Sequence, residues 1–277
     1  MMSINCKGKL LSLDEPLVMG IINATPDSFY EGHLPLQINE ITALAGKMIE
    51  EGAVILDIGG MSTKPGSKPV SVQEEIDRVL PVIEVLHKLY DDTIISIDTY
   101  RSQVAKKAVN AGASIVNDIA AGNMDDEMIA TVANLKVPYI CMHMKGTPDN
   151  MQLKPIYENV VKEVLDFFMV KLQQCTDAGI TDVIVDPGFG FGKTIEHNFQ
   201  LLKSLGILAM PGKPILAGLS RKSTIYKTLG ITAADALNGT TVLNTLALMN
   251  GASILRVHDV KEANEAIMLY KEYKKAP

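Results

Sequence analysis

Eight short apolar runs recur along the chain, at residues 17–23, 54–57, 93–98, 114–117, 137–143, 182–186, 214–219 and 253–258, with stretches of helical period between them. This alternation constrains the fold more than any other feature. Repeated β/α units pair their strands in parallel and lay helices on the sheet. Eight strands is also the number that closes a barrel, and 277 residues suit one such domain. The expected fold is therefore α/β, a (β/α)8 TIM barrel forming one domain over residues 1–277. An open doubly wound sheet, which usually has fewer strands, is the alternative. Helices are expected at 38–51, 75–89, 100–110, 125–134, 157–178, 195–205, 235–249 and 260–274. Ser71 and Glu74 read as a capping box for the second helix, and Gly179 as the stop of the fifth. Residues 4–13, centred on Lys7-Gly8-Lys9, read as a short N-terminal hairpin.

Charge and cysteine usage narrow the function. With 26 basic and 32 acidic side chains the formal charge is −6, which argues against nucleic-acid or anionic-membrane partners but not against one small anion in a pocket. The three cysteines, Cys6, Cys141 and Cys175, form no C-x-x-C pair, so neither a disulfide framework nor a cysteine zinc site is expected. Asp14 and Glu15 interrupt the N-terminal apolar stretch, and no run reaches 18 apolar residues. No signal peptide, no membrane partner and a cytoplasmic location are expected.

The chemistry gathers where the runs stop: Asn23, Asp57, Asp98, Asn117, His143, Asp186, Ser220 and His258. In a β/α barrel these ends converge on the face that carries active sites. Any one of them could be a helix N-cap; eight together point to a polar ligand. Asp98 and Asp186 each close an apolar run, so each carboxylate loses water and needs a partner. They suit a ring with adjacent N–H donors, a developing cation, or a structural salt bridge. Two basic clusters follow, Ser220-Arg221-Lys222-Ser223 and Arg256-Val257-His258. Loops after strands seven and eight commonly bind phosphate in such barrels, and arginine and lysine suit anionic oxygens. Arg221 alone fits a solvated patch, whereas Arg256 lies within an apolar run and needs a buried partner.

Other matches lead elsewhere. The segment PGFGFGKT at 187–194 is one residue from a phosphate-binding P-loop, which makes an NTPase a rival reading. Pro187 counts against it, because the loop's first position requires the freedom of glycine. No G-x-G-x-x-G or H-E-x-x-H occurs, and His87 and His197 read as surface helix residues. Met142, Met144 and Met151 read as core or pocket lining.

Together these segments resemble the dihydropteroate synthase family. The resemblance is carried by GIINATPDSF at 20–29, DIGG at 57–60, Ser62-Thr63 with Pro65-Gly66, IDT at 97–99, VNDI at 116–119, MHMKGTP at 142–148, residues 186–193, SRKS at 220–223 and RVHDV at 256–260. It implies condensation of 6-hydroxymethyl-7,8-dihydropterin pyrophosphate with para-aminobenzoate. It further implies that Asp98, Asn117, Asp186 and Lys222 hold the pterin, with Asp98, Asp186 and Lys222 as the catalytic set. Asn23 would ligate Mg²⁺ on the pyrophosphate, near Thr63, Arg256, Val257 and His258. Para-aminobenzoate would lie against Phe191 and Pro65, close to Lys64, with its carboxylate at Ser223. The family is usually homodimeric.

Departures from the family pattern fall in two loops. Tyr30-Glu31-Gly32-His33 stands where S-D-G-G is common, Met61 replaces a glutamate, and Lys64 replaces an arginine and so lacks its planar fork. A pterin-binding paralogue without turnover and a corrinoid-linked methyltransferase domain are the alternatives within the same barrel.

Overall fold

The computed structural model describes residues 2–25, 34–61, 70–147, 151 and 155–277, those at 34–37 by backbone alone. An antiparallel hairpin opens the chain, β1 (Ser3–Cys6) and β2 (Lys9–Ser12), turning through Lys7 and Gly8 at positive φ. Eight parallel strands follow: β3 (Leu17–Asn23), β4 (Ile55–Gly59), β5 (Ile94–Asp98), β6 (Ile115–Asp118), β7 (Tyr139–Met142), β8 (Val183–Asp186), β9 (Leu216–Ala217) and β10 (Ile254–Val257). Each pairs with its neighbour in order, β10 pairs with β3, and a bridge between Val185 and Ile215 joins β8 to the β9 segment. The sheet is therefore a closed (β/α)8 barrel with an N-terminal hairpin, and the open-sheet alternative is excluded.

The covering helices are α1 (Leu34–Glu50), α2 (Val72–Leu89), α3 (Ser102–Ala111), α4 (Met128–Leu135), α5 (Val160–Asp177), α6 (Ile195–Lys203), α7 (Ser223–Leu229), α8 (Leu237–Met249) and α9 (Val260–Lys275). Among the described residues, no helix is long and apolar enough to cross a membrane. All three cysteines are free and buried.

The two-residue period of a strand decides where the site sits. One side-chain set faces the helices; Val18, Ile22, Leu56, Ile58, Ile97, Val116, Val185 and Val257 belong to the large core between sheet and helices. The other set faces the barrel interior. Its lower layer is Met19, Ile55, Ile94, Ile115, Ile140, Ile184, Leu216 and Ile254, one residue from every strand, packed against Ile4, Cys6 and Leu13 of the hairpin. The hairpin thus plugs the lower end of the barrel. Two residues further along β4, β6, β8 and β10, the same inward face carries Asp57, Asn117, Asp186 and Arg256; four further along β3 and β5 it carries Asn23 and Asp98.

Several boundaries differ from expectation. Asp57 lies inside β4, which continues to Gly59, and β6 ends on Asp118, one residue beyond Asn117. The seventh barrel strand is only Leu216–Ala217, and α7 follows a basic cluster that carries no helical pattern of its own. At α2, the Ser71 side chain accepts from the Glu74 N–H, but the Glu74 carboxylate turns to Arg78 at 2.6 Å, leaving half of the expected capping box. The fifth helix does stop at Gly179, which has a φ of +87°.

Candidate active site

The upper rim is organised around one guanidinium shared by two carboxylates. Arg256 donates through Nε to Asp57 and through Nη2 to Asp98, both at 2.6 Å. Its expected buried partner is thus a pair of acids. Asp57, fully buried, also accepts from the Asn117 side-chain amide at 2.9 Å. One positive charge cannot neutralise two carboxylates. Burial, opposed by Arg256 but reinforced by Asp57, holds the Asp98 carboxyl up to about 7. Nη1 of Arg256 has no hydrogen bond among the described residues, and neither does the buried Oδ1 of Asp57.

A second acid–base pair faces this one. Asp186 is buried at the end of β8, and its carboxylate accepts the Gly188 N–H at 2.7 Å. Burial raises its pKa, while the Lys222 charge pulls it back. Lys222 is the N-cap of α7; its ammonium donates to the Phe189 carbonyl and lies 4.8 Å from the centre of the Phe191 ring. Burial depresses the Lys222 pKa to about 8, with Asp186 opposing that fall. Asp98, Asn117, Asp186, Lys222 and Arg256 are therefore brought together on one face, as the sequence suggests. Phe191 adds an aromatic surface beside Lys222. Ser223, the first residue of α7, follows on the same segment.

Other expected residues fall differently. Val257 is fully buried in the helix-facing core, so it can meet a ligand only through its main chain. His258 is exposed, with its N–H donating to Ser220 Oγ at 3.2 Å. Arg221 turns away to pair with Asp259 at 2.8 and 2.9 Å and with the carbonyls of Ala233 and Ala234; this arrangement, together with Arg221 N–H to Thr240 Oγ1, holds its φ of +53°. It is a structural residue. His143 is also not a free strand-end base: burial and Lys193 depress its pKa to about 2, so it stays neutral. His87 is exposed on α2, while His197 is half-buried and completes the capping box with Thr194. Thr63, Lys64, Pro65, Tyr30, Glu31 and His33 lie outside the described residues.

Asn23 is exposed at the end of β3, and its side chain makes no hydrogen bond to a described residue. No group of three or more His, Cys, Asp or Glu side chains among the described residues could hold a metal by itself. The Asn23 carboxamide oxygen is a hard donor, of the kind that could supply one of the several oxygens a Mg²⁺ ion takes alongside its waters.

Sequence reasoning missed Asp57 as the hub joining Arg256 to Asn117. Its signal was present, since a carboxylate within an apolar run requires a cationic partner. It also missed Asp118, whose buried carboxylate accepts from Tyr139 O–H at 2.7 Å and from the N–H groups of Ala120 and Gly122, fixing the loop after β6.

A closed β/α barrel with desolvated carboxylates and cations gathered at its strand ends defines a class of enzyme that grips a polar heterocycle, and residues 19–258 match the pterin binding enzyme family. The chain is 40% identical to the dihydropteroate synthase of Haemophilus influenzae over 98% of both chains. It is also 40% identical to that of Escherichia coli, over 96% of this chain and 94% of that one. Among solved structures, the Yersinia pestis dihydropteroate synthase in a sulfonamide drug complex superposes with a TM-score of 0.94 at 39% identity, covering 99% of this chain and 100% of that one. The Xanthomonas albilineans enzyme in complex with 7,8-dihydropteroate gives 0.90 at 38% identity over 100% of both. The chain belongs to the dihydropteroate synthase family.

Proposed function

We propose that this rim condenses 6-hydroxymethyl-7,8-dihydropterin pyrophosphate with para-aminobenzoate, releasing 7,8-dihydropteroate and pyrophosphate. The observation that carries the reading is the facing of Asp98 with Arg256 and Asp186 with Lys222 at the polar end of an otherwise apolar barrel. The attacking aniline is neutral near pH 7, so the residues need not supply a strong base. The demanding event is departure of the diphosphate. Asp98, Asn117 and Asp186 accept the pterin's ring N–H groups, and Lys222 donates to the ring. As the C–O bond weakens, positive charge grows on the pterin methylene, and the two desolvated carboxylates stabilise it. Arg256, through Nη1, and His258 face the leaving oxygens, with the Val257 main chain beside them, and resemblance to the family's motif assigns Thr63 to the same group. Mg²⁺, when bound, neutralises charge on the leaving group, and Asn23 is the residue that would hold it. Para-aminobenzoate packs on Phe191, and its carboxylate meets the Ser223 hydroxyl; resemblance to the family's motif assigns Pro65 and Lys64 to the same subsite.

The second copy of a homodimer has a face available to it. On α8, Val242, Leu246 and Met249 are exposed at helical spacing, while Leu243, Ala247 and Leu248 of the same helix are buried. A helix apolar on both sides suits burial by a partner. Light scattering on the eluting protein checks this; a monomer would remove the dimer from the account.

Pyrophosphate release with both substrates tests the reaction. Turnover is expected to require the pterin diphosphate, the aminobenzoate and Mg²⁺, to stop in EDTA and to return when Mg²⁺ is restored. Pterin binding without turnover would instead identify a pterin-binding paralogue.

A further inference from the structure

The loop after β8 folds around a lysine. Lys193 is 4% exposed, and its Nζ lies 3.0 Å from the Gly188 carbonyl, 3.0 Å from the Phe191 carbonyl, 3.2 Å from the His143 carbonyl and 2.9 Å from His143 Nδ1. Four acceptors surround one nitrogen, and an apolar side chain could satisfy none of them. The cage spans two loops, since Gly188 and Phe191 follow β8 whereas His143 follows β7. Glycine makes the approach possible. Gly188 and Gly192 have φ of +67° and +62°; a Cβ on the first would overlap the His143 carbonyl, and one on the second the Lys145 carbonyl. Asn198 fixes the remaining turn by accepting the Gly190 N–H at 2.8 Å.

Everything this loop offers to the rim hangs from that cage. Asp186 leads into the loop and accepts the N–H of Gly188, the Phe189 carbonyl accepts from Lys222, and the Phe191 ring lies beside the Lys222 ammonium. We infer that Lys193 is a positioning residue for the synthase reaction, a built-in cation that binds the loops after β7 and β8 together and so places Asp186, the Phe189 carbonyl and Phe191. Burial pulls its pKa well below the ordinary lysine range, and Asp186 opposes that fall. A neutral amine has two N–H groups for four acceptors and an ammonium has three, so the cage itself favours the charged form. His143 serves as an acceptor here, through an Nδ1 that carries no proton. The inference rests on the proposed reaction for its kinetic part; the cage stands on geometry alone.

The test uses the whole chain with Lys193→Met, which conserves length and removes the charge. Main-chain amide exchange at 188–193 is expected to rise at least tenfold. KM for the pterin diphosphate and for para-aminobenzoate should each rise at least tenfold. The inhibition constant of pyrophosphate, bound on the Arg256 and His258 side, should stay within twofold. KM values and exchange rates within twofold of wild type would overturn the inference. A pyrophosphate constant that weakened in step with both KM values would also overturn it, because the change would then be a general loss of structure. If Lys193→Met does not fold, Gly188→Ala disturbs the same contact by pressing a Cβ against the His143 carbonyl of the loop after β7, and must give the same split. Wild type that turns over neither substrate would sink the proposed reaction, whereas normal exchange in Lys193→Met sinks the cage.

Discussion

The two ends of this barrel are made by the same strands and by the same inward-facing side-chain set, yet they are opposites. The lower end is eight apolar side chains sealed by a hairpin; the upper end is a ring of carboxylates, amides and cations. On β8 the change takes two residues, from Ile184, fully buried, to Asp186, whose ionisation is disfavoured by burial. One end satisfies every packing preference. The other holds charge in a place where charge is costly, offset in part by Arg256 on Asp57 and Asp98 and by Lys222 near Asp186.

Substitutions at the two ends should therefore separate catalysis from stability. Asp98→Asn preserves shape and removes charge, and kcat/KM is expected to fall by about 4 kcal/mol, roughly a thousandfold, with Tm unchanged or raised. Steady-state kinetics within twofold of wild type would dismiss the carboxylate. Lys222→Ala should cost on the order of 3 kcal/mol in kcat/KM, the loss of one preorganised electrostatic group. At the lower end, Ile184→Ala should cost about 3 kcal/mol of unfolding free energy in a denaturant titration. Its kcat per folded molecule should be that of wild type; a matching loss of activity would break the division between the ends.

The smallest effect expected is on pH dependence. Asp98 is raised to about 7 from an ordinary 3.8, so folding favours its neutral form, and its contribution to stability is lost as pH rises from about 4 through about 7. Lys222 is lowered to about 8 from 10.5, so its contribution is lost as pH falls from above 10 through about 8. The proposed reaction uses both groups in their charged forms. The rate profile should then be a narrow bell, falling below about 7 as Asp98 takes a proton and above about 8 as Lys222 loses one. Asp98→Asn should flatten the acid limb alone, and Lys222→Arg the alkaline limb alone. A profile unaltered by either change would remove these groups from the titration.

The barrel was legible because strand and helix periods alternate eight times, and the place of Asp98, Asn117 and Asp186 on one rim was legible because the ends of such strands converge on one face. Arg256 announced its need for a partner, but not which one: Asp57 lies 199 positions away in sequence, and only barrel closure brings the two together. Arg221 and Lys222 are indistinguishable as neighbouring basic residues. A left-handed backbone at Arg221 turns one toward Asp259 and leaves the other at the rim. His143 misled for the same reason, since a strand-end histidine can serve a ligand or a buried lysine, and only Lys193's position decides. The short α7 gave no periodic signal because its seven residues span less than two full turns beyond the cap.

The central claim is that the acids of the upper rim hold the pterin ring while the cations beside them draw off its diphosphate. A crystal structure of the protein soaked with the pterin diphosphate tests it most directly. The ring is predicted within hydrogen-bond distance of Asp98, Asn117 and Asp186, with the diphosphate toward Arg256 and His258; density elsewhere on the molecule, leaving those three side chains untouched, would contradict it.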